Sequence, residues 1–254
     1  MRSLVCIKRV PAPGARIVLT DDRQAIDARH LPFTTSPHEE CAVEEAVRIK
    51  EQHGGTVVVM TLGPAEAEEQ LRYAVSVGAD EAMLLATDGA DWDPQATAAA
   101  LAGKIGELEA GDGLFDLILL GNESADAGGY QVGIRVAHAL GRPVVGGIKG
   151  IDIEGETMVA RRETDAGFEV YRLPLPAVVA VKEGINLPRY PTLPSRLRAK
   201  KVEVTSSAPD HTAGGLRILR LVNPPEVASS TTILGQGPGA APAVADLFEE
   251  LGLL

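Results

Sequence analysis

The stretch VVVMTLGPAEAEEQLRYAVSVGADEAMLL, residues 57–85, decides the fold. It opens with a β-branched apolar run at 57–62, continues through 65–77 with apolar positions every three or four residues, and closes with a second apolar run at 82–85. Short apolar runs bounded by turn signals predict buried strands, and the helical periodicity between them predicts an amphipathic helix. A strand, a helix and a strand in this order predict a right-handed βαβ unit of a parallel sheet.

The same alternation continues on both sides of this stretch. Further strands are predicted at residues 4–7, 117–120, 144–145 and 178–181, and further helices at 39–52, 94–108 and 130–140. Two insertions depart from the alternation: a hairpin of 16–20 with 24–27, and short antiparallel strands at 148–153, 157–163 and 168–173. The sequence therefore predicts an α/β fold with a doubly wound, mostly parallel sheet and added antiparallel strands.

Composition narrows the class of protein. A chain of 254 residues with 45% hydrophobic content can bury a large core, and its formal net charge of −11 argues against a general nucleic-acid binder. No stretch is long enough to span a membrane, and the apolar run at 4–7 is too short for a signal peptide. Cys6 and Cys41 have no partner spacing for a disulfide framework or a zinc site. We expect a cytoplasmic protein that is not itself membrane-embedded.

A proline-rich arm follows the last predicted strand of the core. Pro188, Pro191 and Pro194 predict a stiff, non-helical strap over residues 187–194, and Arg196, Arg198, Lys200 and Lys201 follow it. The segment is either a crossover with solvated cations or a docking element anchored by Leu193. Beyond it we expect strands at 201–204 and 216–221 and a helix at 243–251. We therefore expect an α/β domain at 1–188 and, at 189–254, the arm and a C-terminal tail that wraps over the main domain or onto another subunit; the family resemblance given below implies that the first part binds a nucleotide and that the second begins with a recognition loop.

Three places carry site chemistry, because open α/β sheets bind ligands beyond the carboxyl ends of their strands. The loop NESADAGGYQVG, residues 122–133, offers glycines and a helix start to a phosphate, or is a glycine-rich turn without a ligand. Ser36, Pro37 and Glu39 fit a capping box, in which Glu39 reaches back to the helix start. The ends of two further strands, at Cys6 and at Leu62, are expected to face the same crevice.

Catalytic and metal-binding patterns are absent from the sequence. The five histidines, His30, His38, His53, His138 and His211, lack metal-ligand spacing, and no nucleophile elbow occurs. The carboxylates Glu39, Glu40, Glu44 and Glu45 are expected on a solvated helix face. The residues therefore predict a protein that holds a nucleotide and docks to a partner, with no catalytic residues and no metal.

Several segments together resemble the β subunit of electron transfer flavoproteins. The strongest are residues 41–48 after Ser36-Pro37, then 61–64, 77–80 and 126–133, with 162–163, 175–179, 186–190 and 199–201 extending the likeness. They cover the chain in order from Met1 to about Val204, with weaker similarity at 222–225 and in the last helix. The resemblance implies an adenine-nucleotide-hydrolase-like sheet and a heterodimer with an α subunit.

In that family the α subunit supplies most contacts to one redox-active FAD, and the β subunit buries an AMP. The resemblance implies an electron carrier, not an enzyme, that passes electrons from flavin dehydrogenases to a membrane quinone oxidoreductase. Carried over by position, the AMP contacts fall on Cys6, Ser36, Pro37, His38, Glu39, Leu62, Asp126, Ala127, Gly128, Gly129, Tyr130, Gln131, Val132 and Gly133. The dehydrogenase-docking residues fall on Tyr190, Leu193, Arg196, Arg198 and Lys200.

Departures from the family pattern leave alternatives open. Many relatives carry Asp, Thr or Asn where this chain has Gly128, Gly129 and Tyr130, so the hydrogen bonds to the nucleotide must differ. Electron-bifurcating members place a second FAD where others hold AMP. A stand-alone ATP-binding module or nucleotide enzyme of the same fold is the remaining alternative, although such enzymes need a glycine-serine loop where this chain has Lys8-Arg9-Val10-Pro11.

Overall fold

A computed structural model of the chain describes residues 1–225 and 231–253. Its strands are β1 (Arg2–Ile7), β2 (Arg9–Pro11), β3 (Phe33–Thr35), β4 (Thr56–Gly63), β5 (Glu81–Ala86), β6 (Leu117–Gly121), β7 (Val144–Glu154), β8 (Thr157–Thr164), β9 (Gly167–Pro174), β10 (Ala177–Val181) and β11 (Val204–Ser207). Its α-helices are α1 (Pro37–His53), α2 (Glu68–Val77), α3 (Pro94–Asp112), α4 (Val132–Ala139), α5 (Leu193–Ala199) and α6 (Ala241–Glu250).

Nine strands form one sheet in the order β11-β5-β4-β1-β6-β10-β7-β8-β9. The pairs from β11 to β7 are parallel, and β8 and β9 add antiparallel strands at one edge. The predicted doubly wound, mostly parallel sheet is confirmed. The strand order reverses at β1, since β4 lies on one side of it and β6 on the other. This reversal is where open sheets of this kind form their ligand crevice.

Helices cover both faces of the sheet. α1 and α2 pack on one face against Val57 and Val59, while α3 and α4 pack on the other against Val58 and Met60. Successive residues of a strand point to opposite faces, so the unbroken apolar run 57–60 supplies both layers at once. Such an unbroken apolar run is typical of a parallel strand that is buried on both faces.

The antiparallel part differs in detail from the prediction. The expected separate strands at 144–145 and 148–153 are one strand, β7, whose pairing with β10 shifts register between Val179 and Val181. The expected hairpin of 16–20 with 24–27 is reduced to one bridge, Leu19 to Ile26, closed by turn hydrogen bonds. A small antiparallel pair, β2 with β3, was not predicted, because three-residue strands carry no periodicity.

The C-terminal part also departs from expectation. The strand expected at 201–204 begins only at Val204, and it is not isolated but pairs with β5 at the edge of the main sheet. Residues 216–221 form no strand, and the last helix runs from Ala241 to Glu250. Residues 226–230 and 254 of the predicted arm lie outside the described residues. Among the described helices, none is both long and apolar enough to cross a membrane.

Candidate functional site

The predicted crevice lies at the carboxyl ends of β1, β4 and β6. Cys6 near the end of β1 and Leu62 near the end of β4 pack in the same apolar cluster. The start of α1 lies against the end of β6, where a Cβ atom at Gly121 would stand 2.7 Å from Glu39 Cγ and 3.2 Å from His38 Cβ. Only glycine at position 121 therefore lets the first turn of α1 approach this strand end.

Lys8 joins the separate parts of the crevice. Its backbone N–H donates to Glu39 Oε2 at 2.8 Å, and its ammonium donates to Asp126 Oδ2 at 2.6 Å. The first contact fixes the start of α1, and the second fixes the loop that follows β6. Sequence reasoning did not place Lys8 in the site, although its position directly after β1 was a signal. The structure thus brings Cys6, Glu39, Leu62 and Asp126 together with Lys8 at the carboxyl ends of the strands.

The two carboxyl groups of the crevice differ in charge state. Burial raises the pKa of Glu39 to about 8, although the Lys8 N–H and the Lys8 charge act in the opposite direction. Burial also opposes the charge of Asp126, but the Lys8 ammonium outweighs it and the pKa of Asp126 is lowered. At pH 7 Glu39 is therefore mostly a neutral acid that both donates and accepts hydrogen bonds, beside an Asp126–Lys8 ion pair.

The loop after β6 is shaped by two left-handed residues, Gly128 and Tyr130, each with φ of 53°. Such a conformation is uncommon for a tyrosine and is often found at functional sites. Helix α4 starts at Val132, later than the predicted residue 130, and Gln131 provides no side-chain cap. Its first backbone N–H groups lack intrahelical partners. The turn packs on the sheet, since a Cβ atom at Gly133 would stand in ordinary van der Waals contact, 3.5 Å, with Leu120 Cδ1.

The start of α1 has only one half of the predicted capping box. Ser36 occupies the N-cap position, but its side chain makes no cap hydrogen bond. The Glu39 carboxyl group does reach back to the Ser36 backbone N–H, and it also accepts the Lys8 N–H. Ser36 Oγ and Thr61 Oγ1 are both buried without a hydrogen-bond partner among the described residues. Buried hydroxyls without partners are uncommon in folded proteins and call for an explanation.

His38 is held in one tautomer by two neighbours. The Glu183 backbone N–H donates to Nδ1 at 2.8 Å, while Nε2 lies 3.2 Å from Glu123 Oε1. Because Nδ1 accepts a hydrogen bond, the ring proton is on Nε2 and points to Glu123. His38 thus connects the start of α1 to the loop after β6 and to the segment after β10. Within residues 1–225 and 231–253 no cluster of three or more His, Cys, Asp or Glu side chains could hold a metal ion.

The base of the recognition segment, residues 187–200, is tied to α1 by charged hydrogen bonds. Arg189 donates to Glu44 at 2.8 Å and to Glu51 at 2.6 Å and 2.9 Å. The Glu44 side chain is only 2% exposed and also accepts a hydrogen bond from Arg48 at 2.7 Å. Burial opposes the charge of Glu44, yet the hydrogen bonds from Arg189 and Arg48 lower its pKa.

Two further contacts fix the ends of this segment. Asn186 Nδ2 donates to the Cys41 carbonyl at 3.0 Å and to Glu45 at 2.9 Å. Arg72 on α2 donates to the carbonyls of Ala199 and Val202 at 2.8 Å and 3.1 Å. The expectation that Glu39, Glu44 and Glu45 lie on a solvated face is therefore wrong, because all three are buried and hydrogen-bonded.

The tip of the segment projects into solvent. Tyr190 is 90% exposed and Leu193 is 71% exposed, and the side chains of Arg196, Arg198 and Lys200 are exposed as well. The prediction of a wholly non-helical strap over 187–194 is wrong, since α5 begins at Leu193. Pro194 lies in the first turn of this helix, where its missing N–H has no intrahelical partner to lose. The five predicted docking residues thus all lie in one exposed segment, whose helix α5 packs on α2.

Comparison with known proteins gives a consistent result. The sequence model described as "Electron transfer flavoprotein domain" matches residues 25–212. The electron transfer flavoprotein subunit beta of Mycobacterium tuberculosis is 38% identical over 208 residues, which are 80% of this chain and 77% of the relative. That of Syntrophomonas wolfei is 35% identical over 235 residues, 92% of this chain and 90% of the relative. The caffeyl-CoA reductase-Etf complex subunit CarD of Acetobacterium woodii is 36% identical over 211 residues, which are 81% of this chain and 77% of the relative.

Proposed function

The chain belongs to the β-subunit family of electron transfer flavoproteins, and we propose that it is the carrier half of a heterodimer that transfers electrons through an FAD shared with its α subunit. The α subunit holds most of this FAD, and the β chain performs no bond-breaking chemistry of its own. Electrons arrive from flavin dehydrogenases and leave toward a membrane quinone oxidoreductase, in the cytoplasm. The observation that carries the proposal is the recognition segment, in which the ion pair of Arg189 with the buried Glu44 holds an exposed tip with Tyr190 and Leu193 in place.

The rigid base gives this tip the properties of a docking element. Exposed aromatic and leucine side chains are the usual anchors of protein interfaces, and pre-ordering them lowers the entropy lost on binding. Leu193 and Leu197 lie four residues apart on α5, so they share one helix face, and both are exposed. Arg196 and Arg198 on the same helix would steer a dehydrogenase with an acidic surface.

Truncation of the anchor tests the docking role. Leu193→Ala is expected to lower the rate of reduction by the partner dehydrogenase about tenfold, because it removes the apolar side chain most exposed on α5. The measurement is the rate of flavin bleaching in the purified heterodimer. FAD content should be unchanged, and Leu114→Ala, which truncates an exposed leucine in the turn between α3 and β6, should leave the rate unchanged. Loss of FAD with Leu193→Ala would show a structural role instead.

The crevice is proposed to hold AMP as a structural nucleotide. The free N–H groups at the start of α4 suit its phosphate, and the neutral Glu39 with the buried Ser36 hydroxyl suits the uncharged polar groups of its ribose or base. The predicted contacts on Cys6, Leu62 and Asp126 border the same strand edge. A second FAD in this place, the arrangement of electron-bifurcating members, is the alternative, and the nucleotide content of the purified heterodimer decides between them.

The C-terminal arm is proposed to dock on the α subunit. No described residue of α6 is buried, and Phe248, Leu251 and Leu253 expose apolar side chains there. Deletion of residues 241–254 is therefore expected to weaken association with the α subunit about tenfold or more, as measured by analytical ultracentrifugation of the heterodimer. An unchanged dissociation constant would show that the arm has no part in the interface.

A further inference from the structure

Arg9 is a preorganised cation that has no hydrogen bond or ion pair to its guanidinium within the described part of the chain. It lies on β2, just beyond the carboxyl end of β1, where its backbone pairs with Thr35 of β3. Its guanidinium carbon lies 3.4 Å from the centroid of the Phe33 ring on β3. Such a stack holds a guanidinium in one orientation, since arginine favours the faces of aromatic rings.

The hydrogen-bonding of Arg9 is incomplete. Its Nε is buried without a partner, and its terminal nitrogens keep access to solvent without an ion pair or hydrogen bond to residues 1–225 or 231–253. Burial lowers the pKa of Arg9, and the charges of Glu66 and Glu69 offset this only in part. Both of these glutamates are exposed, and neither bonds to the guanidinium. Burying part of a guanidinium costs free energy unless an anionic partner is supplied.

We propose that Arg9 binds a carboxylate of the α subunit across the heterodimer interface. The terminal nitrogens of a stacked guanidinium form a fixed fork that matches a carboxylate or phosphate. A phosphate in the crevice is the less favoured occupant, because the free N–H groups that suit it follow β6, on the other side of β1 from Glu66 and Glu69. This inference rests on the proposed pairing with an α subunit.

Charge removal tests this proposal in the co-expressed heterodimer. Arg9→Gln is expected to raise the dissociation constant for the α subunit about tenfold or more and to flatten its dependence on salt. Arg9→Lys keeps the charge but not the guanidinium fork, so its dissociation constant should lie between those of the wild type and of Arg9→Gln. FAD and nucleotide per intact heterodimer should be unchanged, and the melting temperature of the variant chain should change by at most a few degrees, because only the stack on Phe33 is lost within the described part of the chain.

Control variants separate the possible outcomes. Arg29→Gln removes an exposed arginine that, among the residues the structure describes, pairs only with Asp27, and it should leave association unchanged. If Glu66→Gln with Glu69→Gln weakens association as much as Arg9→Gln, Arg9 is paired within its own chain and the proposal is wrong. If Arg9→Gln loses the nucleotide but still associates with the α subunit, the anion that Arg9 binds is the nucleotide phosphate. That outcome would overturn the proposal as well. If the wild-type chains do not associate at all, the proposed function fails, whereas tight association of Arg9→Gln refutes only this inference.

Discussion

Replacing Arg189 by methionine is expected to lower the free energy of unfolding by about 1 to 3 kcal/mol, since it removes a charged hydrogen-bond partner of the buried Glu44 carboxylate. Glu44 is almost inaccessible and would keep only Arg48 as a charged partner. Methionine keeps much of the aliphatic volume, so the loss reports on the hydrogen bonds rather than on packing. Urea unfolding of the wild-type and variant chains at pH 7 measures the difference.

An exposed pair provides the matched control. Arg172 binds Glu154 at 2.7 Å, with side-chain exposures of 64% and 55%. Arg172→Met should therefore cost at most about 0.5 kcal/mol. Because the pKa of Glu44 is lowered in the folded chain, its stabilisation is present above its unfolded pKa and is lost as pH falls through the folded value. The effect of Arg189→Met should shrink in acid, and equal losses for the two variants would contradict the buried-pair account.

Replacing Glu39 by glutamine should change how stability depends on pH. The folded pKa of Glu39 is about 8, above its unfolded value, so the wild-type chain loses stability as pH rises from the unfolded pKa to the folded one. Glutamine has no such titration and keeps an oxygen for the Lys8 N–H. Between pH 5 and pH 8 we expect the variant to gain roughly 3 kcal/mol relative to the wild type.

Urea unfolding at pH 5, 6.5 and 8 tests this expectation in nucleotide-free protein. Glu107→Gln is the control, since Glu107 is exposed and pairs only with Lys104. Its stability curve should run parallel to that of the wild type. Parallel curves for Glu39→Gln as well would mean that Glu39 is already ionised in the crevice, which would remove the neutral hydrogen-bond donor from the proposed nucleotide site.

The layers of the fold were predictable from local pattern, and the tertiary polar contacts were not. The run 57–60 and the helical spacing of 65–77 are short-range signals. The strand forms where expected, and the predicted helix is a 3₁₀ turn at Ala65–Ala67 followed by α2. The sequence around Glu44 indicates a solvated face because its neighbours are charged, but its partner Arg189 lies 145 residues away. No local pattern reports a contact at that separation.

In the candidate site, too, the sheet topology was predictable and the tertiary polar contacts were not. The strand ends predict where Cys6, Leu62 and Asp126 meet, because sheet topology alone brings the carboxyl ends of neighbouring parallel strands together. Only the Ser36 half of the predicted capping box is wrong, and the tertiary donor that Lys8 supplies to Glu39 carries no local signal. The prolines around Leu193 favour an extended strap, yet a helix begins there, since a proline in the first helical turn is well tolerated.

The most direct test of the account is the cofactor content of the heterodimer formed by this chain and its α subunit. The two chains are co-expressed and purified together, the bound cofactors are released by denaturation, and flavin and adenine nucleotides are quantified by chromatography. We expect one FAD and one AMP for each heterodimer. Two FADs without AMP, or a colourless β chain that hydrolyses ATP without a partner, would contradict it.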